Sequence, residues 1–319
     1  MLNGHRVLAA VALLAVLVLV AVSVFSENLI VFHAGSLTVP MLELANAFEA
    51  DHPGVKVNAE ASGSNVAARK ISELHREADV MMSADYRVID QLLIPDYATW
   101  NVQFARNTMV IAYAEHSKYA DEITAENWFR VLLRPGASFG HSDPDLDPCG
   151  YRTLMVWQLA EEYYKLPGLA SELVDACPLG NIRPKAVELL ALLQSGDMDY
   201  AFEYRSVAVQ HNLRFIELPD EINLGRTEFA DRYAQAVVRI AGRKPGETMS
   251  VSGAPIVYGM TIPTNAPHPD LAIEFAAFLL GPEGQEIMHK SGQPPIVPAV
   301  IASGGDAIPS QLRALLRNK

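Results

Sequence analysis

Between Val7 and Phe25 no position carries a charge, with His5 and Arg6 in front and Glu27 just behind. These nineteen residues exceed the usual core of an export signal and approach the roughly 20 needed to span a bilayer. Residues 1–26 are therefore expected to be a cleaved signal peptide or a retained membrane anchor. Beyond this leader, short strand-like apolar runs alternate with one-sided helical stripes. Leu29–Phe32, Val55–Ala59 and Ala78–Ser83 read as strands. Met41, Leu44, Ala45 and Phe48, opened by Pro40, form the apolar stripe of a helix that ends near Asp51–Gly54. A second helix is expected to take Ser64 as its cap and run through Ile71 and Leu74, and a third to cover Val88 to Leu93.

A new strand, Met109–Tyr113, marks the crossing into a second unit with its own rhythm. There, strand Ala137–Gly140, a turn from His141 to Gly150, a helix from Tyr151 to about Lys165, a helix Lys185–Leu193 and strand Tyr200–Tyr204 follow in order. Ile256–Pro263 reads as a strand closing this second unit, and Ala241–Thr248 as an exposed hairpin or loop. Helices Asp270–Leu280 and Glu283–His289 return to the first unit. The alternation predicts an α/β fold with mostly parallel sheets in two lobes. The expected division is 27–107 for the first part of lobe I, 108–263 for lobe II, and 264–319 for the return to lobe I.

With 319 residues, half of them hydrophobic, the chain has ample material for two cores. Its net charge of −12 repels phosphate backbones, and no Lys/Arg run offsets it, so nucleic acid is excluded as a partner. The same charge means that a bound anion must be held by local dipoles. Only Cys149 and Cys177 are present. They are too few for a zinc–cysteine cluster, and they read equally as a disulfide of an exported protein or as two small buried residues.

Chemistry concentrates in turns that precede helices. Ala34-Gly35-Ser36-Leu37 and Ala61-Ser62-Gly63-Ser64-Asn65 each follow a strand, where unpaired N–H groups and the helix dipole favour an anion. Serine is equally a common helix cap. A third turn, Asp143 to Arg152, offers the Cys149 N–H with Asp147 one turn earlier. Its three aspartates lack the glycine and distal glutamate of a calcium loop. Asp147 also serves as an ordinary helix cap.

Together, His33-Ala34-Gly35-Ser36-Leu37-Thr38-Val39-Pro40, Ser62-Gly63-Ser64, Asp147-Pro148-Cys149-Gly150-Tyr151-Arg152 and Glu203-Tyr204-Arg205-Ser206-Val207-Ala208-Val209-Gln210-His211 resemble the tungstate/molybdate-binding proteins of ABC importers. The resemblance runs from about Asn28 to Pro298. It implies a type II periplasmic-binding-protein fold, with two lobes joined by a hinge and closing on one tetrahedral oxyanion. By motif, Gly35, Ser36 and Ser64 donate from lobe I, Cys149 (after Pro148) through its N–H, and Tyr204 through its hydroxyl. In the archaeal branch two carboxylates also approach the metal and expand it to six-coordination, and Asp147 matches the first. At the second the chain departs: Arg183-Pro184-Lys185-Ala186 puts Ala186 where the family carries a carboxylate. Glu188 lies two residues on, facing another side of a helix.

The resemblance thus implies a monomeric extracytoplasmic carrier, not an enzyme, that takes molybdate or tungstate without a cofactor and delivers it to an ABC permease. A carrier of sulfate or phosphate is the alternative from the same fold. An exported hydrolase using Ser36 or Ser64 is the alternative from another class, but no Gly-x-Ser-x-Gly elbow supports it. Asp147 decides the ligand chemistry. A carboxylate repels a fully ionised dianion unless it meets the metal or accepts a proton.

Overall fold

A computed structural model describes residues 27–244 and 246–318. The leader, residues 1–26, lies outside the described residues. Among those described, no helix is long and apolar enough to cross a membrane.

The chain first lays down β1 (Glu27–Ala34), β2 (Val55–Ser62), β3 (Val80–Ser83) and β4 (Asn101–Arg106). It then builds β5 (Met109–Tyr113), β6 (Phe139–Ser142), β7 (Ile182–Arg183), β8 (Tyr200–Tyr204) and β9 (Arg214–Glu217) into a separate sheet, ordered β7-β6-β8-β5-β9. A hairpin of β10 (Val237–Ala241) and β11 (Thr248–Ser252) follows, with the segment expected to be an exposed hairpin or loop at its tip. β12 (Val257–Thr261), β13 (Pro295–Ser303) and β14 (Leu316–Arg317) complete the first sheet, ordered β14-β13-β4-β12-β3-β1-β2.

Two expectations are corrected here. Ile256–Pro263 does not close the second unit, because β12 is bonded between β3 and β4 in the seven-stranded sheet. Nor are the sheets mostly parallel. β1 runs parallel to β2 and β3, but the returning strand β12 runs antiparallel to both β3 and β4, and β13 runs antiparallel to β4 and parallel to the edge strand β14. The reason is topological: the chain leaves the first sheet after β4 and re-enters from the other unit, travelling in the opposite direction. In the five-stranded sheet β5 is likewise antiparallel to β8 and β9.

Helices cover the sheets as their stripes dictate. The Thr38–Asp51 helix buries Met41, Leu44, Ala45 and Phe48, and Phe48 meets Phe275 of the Pro269–Leu280 helix edge-on at 5.2 Å. In the other half, Trp157 packs edge-on against Phe202 at 5.4 Å and Trp128 against the same ring at 5.7 Å. The helix read from Tyr151 begins earlier, at Pro148, and ends at Tyr163. The helix read over Lys185–Leu193 divides into a 3-10 turn, Ala186–Glu188, and a helix, Leu189–Ser195. Cys149 and Cys177 are free, buried thiols, each lying 3.7 Å from a strand carbonyl, Phe202 O and Phe139 O.

Candidate functional site

Each predicted residue sits where a strand hands over to a helix. Gly35 and Ser36 form the 3-10 turn after β1. Ser64 opens its helix but does not cap it: Gly63 holds the N-cap position, and the Ser64 hydroxyl instead accepts the Ala84 N–H at 2.9 Å. Asp147 is the N-cap of the Pro148–Tyr163 helix, with Pro148 at the first position and Cys149 at the second. Tyr204 ends β8 immediately before the Arg205–Gln210 helix. All of these side chains are buried.

The turns meet in pairs across the two sheets. A Cβ added at Gly63 would lie 2.3 Å from the Leu146 carbonyl oxygen, and one at Gly35 would lie 3.4 Å from Val187. The Ser64 turn thus abuts the Asp147 turn, and the Ser36 turn abuts the one that begins at Ala186. Only glycine permits the first approach. Gly63→Ala is expected to push the halves apart and weaken ligand binding roughly ten- to a hundredfold, in line with the usual cost of overpacking. Titration beside a melting curve of the ligand-free protein checks that the loss is one of binding.

Asp147 joins two of these turns. Its Oδ1 accepts the Cys149 N–H and its Oδ2 accepts the Ala186 N–H, both at 3.0 Å. The capping role is therefore present, and the Cys149 N–H expected to face a ligand is engaged by Asp147. Ala186 contributes its backbone and not a carboxylate. Burial raises the Asp147 carboxyl above its ordinary value, against the opposing pull of these two N–H groups and Arg152.

Three hydroxyls are tied into one network, and the oxygens of two of them, Ser64 and Tyr204, accept a proton from an N–H group. Ser64 Oγ accepts from Ala84 N. Arg152 Nη1 donates to the Tyr204 hydroxyl at 2.6 Å, and also to Ala84 O at 2.9 Å. Asn107 Nδ2 donates to the Tyr258 hydroxyl at 3.0 Å, and that hydroxyl shares a hydrogen bond with Ser36 Oγ, 2.8 Å away, in which either oxygen can be the donor. A hydroxyl whose lone pair is occupied in this way has its own proton free to donate. Ala84, Arg152 and the Tyr204–Tyr258 ring pair, 6.3 Å between centroids, link the three.

Several members of this network were not legible as site residues. Arg152, which entered the sequence reading only as the end of the Asp147–Arg152 motif, is fully buried and lies 3.1 Å from Asp85 Oδ2. Tyr151 donates to the same carboxylate oxygen at 2.8 Å. Tyr258, Asn107 and Gln293, whose Nε2 holds the Ser36 carbonyl at 2.9 Å, come from distant strands and loops. His33 is a scaffold residue, bonded to Ala34 O, and burial lowers its pKa to about 4. Arg205 forms an exposed pair with Glu217.

Glu203 is the most consequential residue that was overlooked. It is completely buried in β8, its Oε2 accepts the Tyr204 N–H at 3.1 Å, and its Oε1 has no hydrogen-bond partner among the described residues. Burial drives its carboxyl far above the ordinary value, and the charge of Asp147 adds to that. Two carboxyls therefore flank the Cys149 turn. The signal lay inside the quoted Glu203-Tyr204-Arg205 motif, masked by the apolar run around it.

The family model described as "Bacterial extracellular solute-binding protein" matches residues 29–293. The molybdate/tungstate-binding protein WtpA of Thermococcus kodakarensis is 43% identical, with 97% of this chain and 95% of that protein covered. The protein of the same name from Pyrococcus abyssi is 41% identical, covering 92% and 91%. Among solved structures, the periplasmic molybdate-binding protein of Azotobacter vinelandii superposes with a TM-score of 0.60 at 18% identity, covering 84% of this chain and 98% of that one. The sulfate-binding protein SubI of Mycobacterium tuberculosis reaches 0.61 at 14% identity, covering 88% and 90%. At such identities the two structures speak for the α/β periplasmic-binding-protein fold alone. On the family match and the two close relatives, the chain belongs to the extracellular solute-binding proteins, a family of carriers, in the group that includes the molybdate/tungstate-binding proteins.

Proposed function

We propose that this protein is an extracytoplasmic carrier that captures molybdate or tungstate between two lobes and passes it to an ABC permease. The lobes are the halves built on the seven- and five-stranded sheets, and the hinge is the pair of crossings after β4 and before β12. The observation that carries this reading is the trio of buried hydroxyls, Ser36, Ser64 and Tyr204: the oxygens of Ser64 and Tyr204 each accept an N–H, which leaves their own protons to donate, and Ser36 is paired with the Tyr258 hydroxyl. Such a set is built to donate to oxygen atoms of an anion. Each such bond to a charged group is worth about 1.5–3 kcal/mol, and the adjoining helix N-termini add about 0.3–1 kcal/mol each.

Asp147 and Glu203 favour the metal oxyanions within this class. Burial disfavours the ionised form of both carboxyls, and once ionised they repel a dianion unless the central atom accepts their oxygens as further ligands. Molybdenum and tungsten can expand from four to six oxygen neighbours, whereas sulfur in sulfate and phosphorus in phosphate cannot. Glu203, and not position 186, is on this reading the second carboxylate. Isothermal titration of the purified protein with molybdate, tungstate, sulfate and phosphate tests the proposal. Tight binding of the first two is expected, and silence with both, or stronger binding of sulfate or phosphate, would reject it.

A further inference from the structure

The side chain of Arg69 reaches from the helix that begins at Ser64 to two separate segments of the other half. Its Nη1 donates to Asp145 O at 3.1 Å, and its Nη2 donates to Ala241 O at 3.0 Å and to Gly242 O at 2.9 Å. Glu73, one helical turn on, holds the Nε end at 3.2 Å and aims the guanidinium. The two receiving segments are themselves tied, since Asp145 Oδ1 accepts the Ala241 N–H at 2.7 Å. Asn65 Nδ2 adds a second bond to the Asp145 carbonyl at 3.1 Å.

The position of this knot gives it a function. Asp145 lies two residues before Asp147, in the turn that presents Cys149 and abuts Gly63. Ala241 and Gly242 lie at the tip of the β10–β11 hairpin, whose other end is fastened to the Pro148–Tyr163 helix by a reciprocal pair of bonds between Gln158 and Val237, at 3.0 and 2.9 Å. One planar fork therefore clasps both the turn that would cover the ligand and the strap behind it. A guanidinium can serve three carbonyls in fixed directions, and an ammonium cannot reproduce that geometry. Arg69 touches neither Ser36, Ser64, Tyr204 nor the two carboxyls through any hydrogen bond or ion pair among the described residues.

We infer that Arg69 is a positioning residue that latches the two lobes over the bound oxyanion and sets how slowly the ion leaves. This rests on the carrier reading above. Because the bonds form only when the halves meet, the latch acts on dissociation and leaves the first encounter unchanged.

The test follows tungstate release from the full chain by stopped-flow fluorescence in wild type, Arg69→Lys and Arg69→Met, with ligand-free melting measured in parallel. Both variants are expected to release the ion about tenfold faster, or more, with association and melting unchanged; tenfold corresponds to roughly 1.4 kcal/mol. Asp145→Ala, which frees the Ala241 N–H, should move release in the same direction by less and keeps the test open should an Arg69 variant fold poorly. Wild-type release from Arg69→Lys with fast release from Arg69→Met would make the effect one of charge and overturn the latch, as would unchanged release from both. If the wild type binds neither tungstate nor molybdate, the carrier reading fails separately. The latch, defined by its hold on the bound ion, falls with that reading, and the two failures are told apart by whether the wild type binds.

Discussion

Replacing Arg152 by methionine is expected to cost about 3–5 kcal/mol of stability, the usual consequence of removing one partner of a buried ion pair. For a protein of this size that is a fall in melting temperature of roughly 10 °C. The substitution keeps most of the volume and removes the guanidinium that touches Asp85, Ala84 O and the Tyr204 hydroxyl. Asp85 is left buried with Arg87 and Tyr151 as its remaining partners.

The same change has a pH signature. Burial by itself raises the Asp85 carboxyl, but Arg87 and Arg152, aided by bonds from Arg87 and Tyr151, hold it well below the usual range. A carboxyl depressed in this way contributes stability above its unfolded value of about 4 and loses it as pH falls toward the folded value. Without Arg152 the depression is smaller, so acid unfolding should begin at a higher pH. Tyr204 would lose the donor that directs its proton, and tungstate affinity should fall as well. Thermal and acid melts of the ligand-free variant, followed by titration, check the three outcomes; an unchanged acid limb would show that Arg87 alone holds Asp85.

Glu203→Gln is expected to do the opposite to stability and more to binding. A carboxyl raised by burial contributes stability below its unfolded value and loses it as pH rises through the folded one. At neutral pH Glu203 therefore weighs on the free protein, and glutamine, which is uncharged and similar in shape, should raise the ligand-free melting temperature. Affinity for tungstate should nevertheless drop by about a hundredfold or more, as expected when one partner of a buried charged contact is removed, about 3 kcal/mol. Sulfate should suffer less, because its sulfur offers no coordination site that the carboxylate could fill. X-ray absorption at the tungsten edge adds an independent reading: more than four oxygen neighbours with wild type, and fewer with the variant. Equal losses for tungstate and sulfate would remove the proposed contact between Glu203 and the metal.

How much of this was legible depends on whether the information is local. Gly35-Ser36 and Gly63-Ser64 could be read because a strand, a small-residue turn and a helical stripe follow one another within a dozen residues. Asp147 as a cap could be read for the same reason, from Asp-Pro at a helix start. Its second bond, to the N–H of Ala186, could not, since thirty-nine positions separate the partners. The same limit misplaced β12. Val257–Thr261 is buried along its whole length, and an apolar run carries no mark of the sheet that receives it. In the event Gly259 decides its fit, its missing Cβ making room for Tyr86, which would otherwise lie 2.6 Å away.

Glu203 and Arg152 illustrate the remaining gap. A charged residue in a buried strand or helix is readable only as an oddity until its neighbours are known, because burial and partners together decide its charge and its role. Periodicity, turn chemistry and composition alone determined the α/β alternation and the turns at which strands hand over to helices. These properties arise between residues close in sequence or from the chain as a whole. Tertiary structure alone decided which sheet takes the returning strands, which N–H groups hold the hydroxyls of Ser64 and Tyr204, and that the carboxyls of Asp147 and Glu203 both lie buried near Cys149. Those depend on contacts between residues up to 257 positions apart, whose energies no local pattern records.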